Sequence, residues 1–314
     1  MPRTVYLNGQ FIPEAEAKLS IYDLSVMQSA AAFEMTRSFN GQHFKLREHL
    51  DRLIRSCELL SLPLPRDMKL RVGISNMEGI IRELTAMNDH GPGEEHRLLI
   101  VVSPGCAPMY RDLAGVIPHP FVYIADFPLR YTVQGFSQYF LEGVHCVTSK
   151  TRQVPDACVP SAAKHRSRLH FHLAQQQAPA GTWPLLTDIS GWYTEAPGAN
   201  LVQVTNGIIH AIDRNALPGI SLQTIRELTH VRAGVYHASH KPDELWLTGT
   251  PFCMLPVVSL DGKPIGTGKI GPVYQETLGK WNQLVGLDIA QQIHEWDYPK
   301  IWTPDAQRTH TAQH

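Results

Sequence analysis

One lysine stands in surroundings that would suit covalent chemistry. Residues 161–169 read SAAKHRSRL, so small side chains precede Lys164 and a stretch able to form a helix follows it. An exposed ammonium stays protonated at neutral pH and is not a nucleophile, so a reactive lysine must be held and partly desolvated. Small neighbours would let a flat cofactor approach its nitrogen. The alternative is a solvated surface charge, as most lysines are, and later segments bear on the choice.

Three segments whose residues could take part in chemistry follow Lys164 along the chain. Residues 192–204 read WYTEAPGANLVQV and place a glutamate in a stretch bent by proline and glycine. Residues 216–221 read ALPGIS and open a predicted helix, whose first N–H groups are free to bind an anion. Residues 247–262 read LTGTPFCMLPVVSLDG and begin with a Thr-Gly-Thr turn.

This order of segments resembles the class IV (fold type IV) pyridoxal-phosphate enzymes, which include branched-chain aminotransferases, D-amino-acid aminotransferases and aminodeoxychorismate lyase. The resemblance extends upstream to AAFEMTR at 31–37 and HLDRLIRSCELL at 49–60. It implies a two-domain α+β fold, with mixed and antiparallel sheets, packed helices and a cofactor cleft between the domains. It also implies pyridoxal 5'-phosphate as cofactor, an amino acid and a 2-oxo acid as substrates, and a homodimer.

Pyridoxal phosphate needs an amine, an acidic partner for its ring nitrogen, a phosphate cradle and a wall for its ring. By the resemblance, Lys164 is the amine and the catalytic proton carrier, and Glu195 is the acidic partner that keeps the ring nitrogen protonated. Leu217 would pack against the ring. The implied phosphate cradle comprises Arg52, Gly219, Ile220, Ser221 and Thr250. Without the family pattern, Glu195 would be a surface glutamate in a turn and Arg52 an arginine on a helix surface.

The same resemblance assigns Phe33, Arg97 and Thr250 to the substrate pocket. Arg97 would meet a substrate carboxylate, although an arginine at the start of a strand is more often structural. Three segments, ALPGIS, TGT and PVVSLDG, are similar to segments of aminotransferases. A branched-chain-like aminotransferase is therefore expected. KHRSRL resembles the KHxNRL of aminodeoxychorismate lyases, and Leu169 stands where branched-chain enzymes usually carry tyrosine. A carbon–carbon lyase is the alternative, and a non-catalytic protein that binds the cofactor is a third possibility.

Composition excludes several other classes of protein. The chain has 314 residues, 43% of them hydrophobic and 18% charged, with a net charge of −1, so a polyanionic partner such as nucleic acid is not expected. No apolar run is long enough to span a membrane, and the N-terminus lacks the apolar core of a signal peptide. The five cysteines are scattered, without metal-binding spacing, as in a reduced cytoplasmic protein. The sixteen histidines contain no HExxH, so no metal is expected. GTGKIG at 266–271 is followed only by a predicted helix and a polar tail, without the second strand and acidic residue that a dinucleotide site requires about twenty residues further on.

Turn signals and hydrophobic periodicity predict the elements. Asn-Gly or Asp-Gly pairs at 8–9, 40–41, 206–207 and 261–262 predict hairpins. Helices are predicted at 49–60, 67–88, 165–177, 221–236 and 272–285, and strands at 97–103, 121–125, 143–149, 185–189, 201–205 and 208–212. The expected organisation is an N-terminal domain (1–126), a linker (127–136), a C-terminal cofactor-binding domain (137–296) and a polar tail (297–314).

Overall fold

An antiparallel sheet forms the first part of the protein in a computed structural model that describes residues 3–68 and 73–297. Its strands, with one separate short hairpin, are β1 (Thr4–Leu7), β2 (Gln10–Pro13), β3 (Ala32–Met35), β4 (Ser38–Phe39), β5 (Gln42–His43), β6 (His96–Ser103) and β7 (Phe121–Pro128). The sheet order is β2-β1-β7-β6-β3, and β4 pairs with β5 alone. Both hairpin turns contain Asn-Gly with positive φ at both residues, which the tight turns of right-twisted strands require.

Two amphipathic helices cover one face of this sheet. The helices of this part are α1 (Leu24–Met27), α2 (Leu46–Leu59) and α3 (Gly73–Met87), with short 3-10 turns at Glu14–Glu16, Arg66–Met68 and Pro108–Tyr110. Leu50, Leu53 and Cys57 lie on one stripe of α2, at a spacing of three or four residues, and are fully buried. They pack with Met77 and Ile81 of α3 in one hydrophobic core. This core fixes the face of α2 that carries site residues.

A nine-stranded mixed sheet forms the second part. Together with a separate pair, β10 and β15, the strands of this part are β8 (Val144–Thr148), β9 (Thr182–Leu185), β10 (Trp192–Tyr193), β11 (Glu195–Ala196), β12 (Ala199–Thr205), β13 (Ile208–Ile212), β14 (Val231–Gly234), β15 (Tyr236–His237), β16 (Glu244–Gly249), β17 (Cys253–Leu260) and β18 (Lys263–Pro264). The main order is β14-β13-β12-β16-β17-β8-β9, while β11 pairs with β12, β18 with β17, and β10 with β15 separately. Three neighbouring pairs are parallel, β13–β14, β8–β17 and β8–β9.

Six helices accompany this sheet among the described residues: α4 (Arg130–Val133), α5 (Ser137–Glu142), α6 (Leu169–Gln177), α7 (Ile220–Leu228), α8 (Pro272–Val285) and α9 (Ile289–Asp297). Trp246 of β16 and Trp281 of α8 are almost fully buried in a second core. α8 begins at Pro272 and ends before Gly286, whose φ of 71° stops the helix, so the predicted helix at 272–285 is confirmed. Within 3–68 and 73–297, no helix is long and apolar enough to span a membrane.

Several predicted elements were wrong in extent. The helix predicted over 221–236 ends at Leu228, and the chain continues into β14, which pairs with β13 through backbone bonds that local periodicity cannot reveal. The helix predicted over 165–177 begins only at Leu169, because the preceding residues pair with the end of the first sheet. The strand predicted at 185–189 ends at Leu185, although residue 187 keeps an isolated bridge to Tyr193.

Some of the remaining predictions extend beyond the residues that the structure describes. The helix predicted over 67–88 corresponds to a 3-10 turn and α3, with residues 69–72 outside the described residues. All four predicted hairpins are present. The linker proposed at 127–136 overlaps the last two residues of β7, contains α4 and ends before β8, and the domain boundary stays a prediction. Of the tail proposed at 297–314, only Asp297 lies within the described residues, where it ends α9.

Candidate active site

The segment that carries Lys164 lies beside β3, joined to it by backbone hydrogen bonds and an isolated bridge between Ala32 and His165. The Phe33 N–H donates to the Lys164 carbonyl and the Arg166 N–H to the Ala31 carbonyl, both at 3.0 Å. The Lys164 N–H donates to the Ser56 hydroxyl at 3.0 Å, and that hydroxyl donates to the Arg52 carbonyl at 2.8 Å. The lysine backbone is therefore tied both to the first sheet and to α2, which limits where its amine can move.

The Lys164 amine lies in an environment that disfavours its charge. Burial, and after it the charge of Arg52, lower the pKa of Lys164 from 10.5 to about 7, with Arg168 acting in the same direction and Glu34 and Glu195 in the opposite one. The Nζ atom also lies 4.8 Å from the centroid of the Phe33 ring. A substantial fraction of this amine is consequently neutral at pH 7, as a nucleophile or a base requires.

Glu195 is a buried carboxylate without an ion-pair partner among the described residues. The Gln153 side-chain amide donates to Oε1 at 2.9 Å, and the Leu217 N–H reaches Oε2 at 3.4 Å. Burial raises the pKa of Glu195 to about 7, while its hydrogen bonds and the charge of Lys164 act in the opposite direction. A cationic group beside this carboxylate would restore the pKa to its ordinary range.

Arg52 is held rigidly on the buried side of α2. Its Nε and one terminal nitrogen donate to Glu34 at 2.6 and 2.8 Å, and the other terminal nitrogen donates to the Pro218 carbonyl at 2.9 Å. His49, three residues earlier on α2, contacts the same Glu34 carboxylate at 2.8 Å. Burial would raise the pKa of Glu34, but the adjacent Arg52 and His49 hold it well below its usual range. Because Glu34 occupies one edge of the guanidinium, the remaining N–H groups are aligned for a second anion.

The start of α7 presents backbone donors to the same space. Gly219 is the residue before the helix, and no side chain of a described residue caps the first N–H groups. Asn200 holds the approach to α7 by donating from its side chain to the Leu217 carbonyl at 2.7 Å. A Cβ at position 219 would lie 1.9 Å from the Asn200 side-chain oxygen, so only glycine permits this approach. The hydroxyl-bearing Ser221 follows in the first turn of the helix.

The structure brings all eight residues expected at the cofactor site to one cavity. Its lining includes Arg52, Lys164, Glu195, Leu217, Gly219, Ile220, Ser221 and Thr250. The cavity contains anion-binding groups, the lysine amine and a buried carboxylate, together with backbone of Gly198 and Gly249. Arg52 is 3% exposed and Glu195 8% exposed, so neither is the solvated surface residue that was the alternative.

A second cavity, of about 520 Å³, adjoins the first and shares Lys164, Arg168, Gly198 and Thr250 with it. The three residues expected at the substrate pocket, Phe33, Arg97 and Thr250, line this cavity. Part of its wall is an aromatic cluster in which Phe136, Trp183 and Phe252 have pairwise centroid distances of 5.8 Å. Side chains alternate between the two faces of β3, which explains the division between the cavities. Phe33 and Met35 face the second cavity, while Glu34 points to Arg52.

Arg97 is a buried cation with few contacts that offset the cost of burying its charge. It is 5% exposed, and it forms no ion pair with a described residue. Its contacts are the Thr36 carbonyl at 3.5 Å and the Met35 sulfur at 3.6 Å, and its Nε has no hydrogen-bond partner among the described residues. Burial, and then the charge of Arg37, lower the pKa of Arg97 to about 9. An anion in the cavity would stabilise this charge.

The backbone next to Arg97 is supported by a cluster of histidines. Asp126 accepts from His96 at 2.9 Å and from His90 at 3.3 Å, and it is almost fully buried. Burial would raise the pKa of Asp126, but these hydrogen bonds lower it below the ordinary value. The contacts fasten the loop after α3 to β6 and β7 at the residue preceding Arg97.

Sequence analysis did not single out several polar residues, among them Gln153, Arg166 and Arg168, which line the cavities, and Glu34, which holds Arg52. Glu34 lies within the segment AAFEMTR, and strand alternation could have placed it opposite Phe33 and Met35. Arg166 and Arg168 lie within KHRSRL, which was expected to be helical and therefore gave no indication of their direction. Gln153 lies far from the other segments in the chain and had no local signal.

The residues present fit pyridoxal phosphate. The ring nitrogen is a base that becomes cationic when protonated, and Glu195 is a buried carboxylate whose raised pKa indicates that a cationic partner would stabilise its charge. At the other end of the cavity, the fork of Arg52 and the first N–H groups of α7 are suited to a phosphate. Lys164 lines the cavity with both sets of groups. The arrangement is the one expected of a fold type IV pyridoxal-phosphate enzyme.

Comparisons with known proteins agree with this assignment. The family model described as amino-transferase class IV matches residues 31–260. A putative branched-chain-amino-acid aminotransferase of Methanocaldococcus jannaschii is 25% identical over 292 residues, covering 89% of this chain and 96% of the relative. The branched-chain-amino-acid aminotransferase of Escherichia coli K12 is 24% identical, covering 86% of this chain and 88% of that protein. The chain therefore belongs to the class IV aminotransferase family, and it is a pyridoxal-phosphate-dependent aminotransferase.

Solved structures show the same fold. A branched-chain amino acid aminotransferase from T.th., complexed with N-(5'-phosphopyridoxyl)-L-glutamate, has a TM-score of 0.77 and 24% identity, with 91% of this chain and 95% of that chain covered. The branched-chain aminotransferase of Thermoproteus uzoniensis with norvaline also has a TM-score of 0.77, with 22% identity and coverage of 91% and 96%. The predicted α+β fold of type IV is confirmed.

Proposed function

We propose that this aminotransferase moves an amino group between a branched-chain-like amino acid and a 2-oxo acid, with Lys164 as the catalytic residue. The observation that carries the proposal is the Lys164 amine, whose pKa is about 7, in the cavity that also contains Glu195 and Arg52. The names of the relatives support a branched-chain substrate. The aromatic cluster of Phe136, Trp183 and Phe252 would receive an apolar side chain.

Each residue of the cofactor cavity has a proposed task. Bound pyridoxal phosphate supplies the electron sink that makes the substrate α-proton acidic. Lys164 Nζ accepts that proton and returns it to a neighbouring carbon, which a group with a pKa near 7 can do in both directions. Glu195 keeps the ring nitrogen protonated. Arg52, Thr250, the Ser221 hydroxyl and the backbone of Gly219 and Ile220 hold the phosphate, and Leu217 packs on the ring.

The substrate cavity orients the substrate beside Lys164. Phe33 and Met35 form an apolar floor beside Lys164, and Thr250 lies where the two cavities join. Arg97 binds a carboxylate, since a buried unpaired cation gains most from a ligand of opposite charge.

We also propose that the protein acts as a homodimer in a reducing, cytoplasmic environment. An apolar patch supports the dimer: Ile21, Val26, Met27 and Met109 are all exposed by 48% or more. Tyr22 and Tyr110, the chain neighbours of Ile21 and Met109, pack against each other with ring centroids 4.6 Å apart. Exposed apolar patches of this kind commonly mark protein interfaces. The five cysteines are free, which suits a reducing compartment.

A carbon–carbon lyase is the second candidate, and one observation favours it. Leu169, at the position where a cofactor-facing tyrosine is usual in branched-chain enzymes, is 68% exposed and does not line the cofactor cavity. The site therefore lacks a hydroxyl from that position.

The spectrum of the purified holoenzyme separates the two candidates. An amino donor alone should bleach the cofactor band of an aminotransferase, and 2-oxoglutarate or pyruvate should restore it. We expect reversible bleaching by at least one member of a panel of L- and D-amino acids. A lyase would release p-aminobenzoate and pyruvate from aminodeoxychorismate through many turnovers without any oxo acid. That result, with no bleaching across the panel, would contradict the proposal.

A further inference from the structure

Three side chains able to bind a metal ion meet near the end of α3, away from the cofactor and substrate cavities. His90 lies in the loop after α3, His96 is the first residue of β6, and Asp126 lies in β7. None of the three lines either cavity. One ligand atom from each lies within 4.8 Å of the others. Because the group spans 36 residues of the chain, no local spacing such as HExxH could have indicated it.

The pairing of β6 with β7 places His96 and Asp126 on one face of the first sheet. Asp126 stands opposite Leu98 in the register, and side chains two residues apart on a strand share a face. Leu98 is fully buried in the core that the sheet forms with α2 and α3, so this is the face that the helices cover. The His90 ring reaches it from the loop and lies beside the His96 ring, with centroids 4.6 Å apart. Both rings therefore present a nitrogen to one carboxylate.

The separations of these atoms are close to those of a tetrahedral metal site. Asp126 Oδ1 lies 3.3 Å from His90 Nε2 and 3.2 Å from His96 Nδ1. Bonds from Zn²⁺ to nitrogen and oxygen are about 2.0–2.2 Å long, so the ligand atoms of a tetrahedral site lie roughly 3.3 Å apart. The two histidine nitrogens lie within 4.8 Å of each other, and rotation of the rings would bring them to that separation. An ion could thus be bound without a change of the backbone.

Charge and hydrogen bonding also favour a cation at this point. The Asp126 side chain is fully buried, and it pairs with His90 and His96 but with no lysine or arginine among the described residues. A divalent cation would offset this buried charge more fully than two hydrogen bonds do. Each ring must then carry its proton on the other nitrogen. Within the described part of the chain, neither of those nitrogens is buried without a partner, so this tautomer leaves no unsatisfied N–H group.

We propose that His90, His96 and Asp126 bind a Zn²⁺ ion, with a water molecule as the fourth ligand. Two imidazoles and one carboxylate suit Zn²⁺, whereas Mg²⁺ and Ca²⁺ prefer ligand sets made of oxygen. The His96 side chain is 12% exposed, so solvent reaches the site and supplies the water. The assignment is independent of the substrate of the enzyme.

The ion would fasten a loop on which the C-terminal helix α9 rests. The Trp296 indole donates to the Gly93 carbonyl at 3.2 Å. The Gln292 side chain donates to the Glu95 carboxylate, also at 3.2 Å. Both acceptors lie between the two histidine ligands in the chain. Bound Zn²⁺ accordingly stabilises the folded protein and leaves the chemistry of the cavities unchanged.

Calorimetric titration of the chelator-treated holoenzyme with ZnCl₂ tests the site. The wild type should bind one Zn²⁺ per chain at micromolar concentrations or below, and His90→Ala and Asp126→Asn should weaken binding by at least about a hundredfold, more than the loss of an outer-sphere partner does. Co²⁺ should show the visible absorption of a tetrahedral site in the wild type and not in His90→Ala. Zn²⁺ in about hundredfold excess over its dissociation constant should raise the melting temperature by about 3–6 °C, and Mg²⁺ should not.

The matched control is His172→Ala, at an exposed position of α6, which should bind Zn²⁺ as the wild type does. Cofactor content and circular dichroism establish that each variant is folded. If Asp126→Asn does not fold, His90→Ala decides the question, since its side chain comes from a loop. Absence of stoichiometric binding by the wild type would overturn the proposal and leave a cluster joined by hydrogen bonds only. Binding that is unchanged in His90→Ala, or weakened equally in His172→Ala, would overturn it too, because the ion would then lie elsewhere.

Discussion

Replacing Glu195 by glutamine should have opposite effects on the apoenzyme and the holoenzyme. Glutamine preserves the shape of the side chain and can still accept the hydrogen bond that Gln153 donates at 2.9 Å. It removes the negative charge. In the apoenzyme that charge destabilises the folded state, because burial disfavours it and raises the pKa of the carboxyl. In the holoenzyme the same charge is needed beside the protonated ring nitrogen.

The magnitude follows from the pKa difference. The pKa of Glu195 rises from 4.5 to about 7 on folding. The folded apoenzyme binds this proton more tightly than the unfolded chain, so the group costs nothing well below pH 4.5 and its full penalty applies above pH 7. A shift of this size corresponds to about 3 kcal/mol. The stability of the Glu195→Gln apoenzyme relative to wild type should therefore increase by about 2–3 kcal/mol between pH 5 and pH 8.5.

Denaturant unfolding of both apoenzymes, at the two pH values and at matched protein concentration, measures this difference in the free energy of unfolding. Addition of cofactor should reverse the order, because the wild type gains the interaction between the carboxylate and the ring nitrogen. Turnover of the loaded variant should fall by at least about a hundredfold, the scale of other preorganised electrostatic contacts. Glu142→Gln, at an exposed residue of α5, is the matched substitution and should retain full turnover.

A pH-independent stability difference between wild type and Glu195→Gln would refute the electrostatic reasoning. It would mean that the carboxylate is already compensated in the apoenzyme. Turnover close to that of the wild type would show in addition that Glu195 is not the partner of the ring nitrogen.

The remaining predictions concern the amine and the phosphate. Borohydride reduction of the yellow protein should attach the cofactor to the Lys164 peptide, and an adduct on another lysine would exclude this assignment. Since the pKa of Lys164 is about 7, the rate of cofactor capture by the apoenzyme should rise through pH 7 and level off above about pH 8; a rise continuing to pH 10 would indicate an ordinary amine. Arg52→Ala and Thr250→Ala should weaken cofactor retention more than they slow turnover in saturating cofactor, with about a 10- to 100-fold loss of affinity for Arg52→Ala. Glu34→Gln should also weaken cofactor retention, because it releases the Arg52 guanidinium. Arg55→Ala, on the exposed side of α2, should not weaken it. Cofactor retention equal to that of the wild type in Arg52→Ala, Thr250→Ala and Glu34→Gln would contradict the proposed phosphate cradle.

The sequence alone determined the local features of the fold and which residues were expected at the cofactor site. Each Asn-Gly or Asp-Gly pair forms its hairpin because a tight turn depends on the φ values of two adjacent residues. The helix at Pro272–Val285 likewise has both its start and stop signals within its own residues. The eight residues expected at the cofactor site could be selected one by one, because family motifs preserve short segments whose chemistry is local to each segment.

Only the tertiary structure decided how those segments combine. The direction of Arg166 depends on the pairing of 164–166 with β3, between residues more than a hundred positions apart, and a helical interpretation of KHRSRL would have turned the side chain elsewhere. The rigidity of Arg52 comes from Glu34 on another element. The end of α7 at Leu228 is set by the strand that must pair with β13. Backbone pairing and burial between distant segments leave no periodic pattern in the chain, and they also create the raised pKa of Glu195 and the lowered pKa of Lys164 on which the proposed chemistry depends.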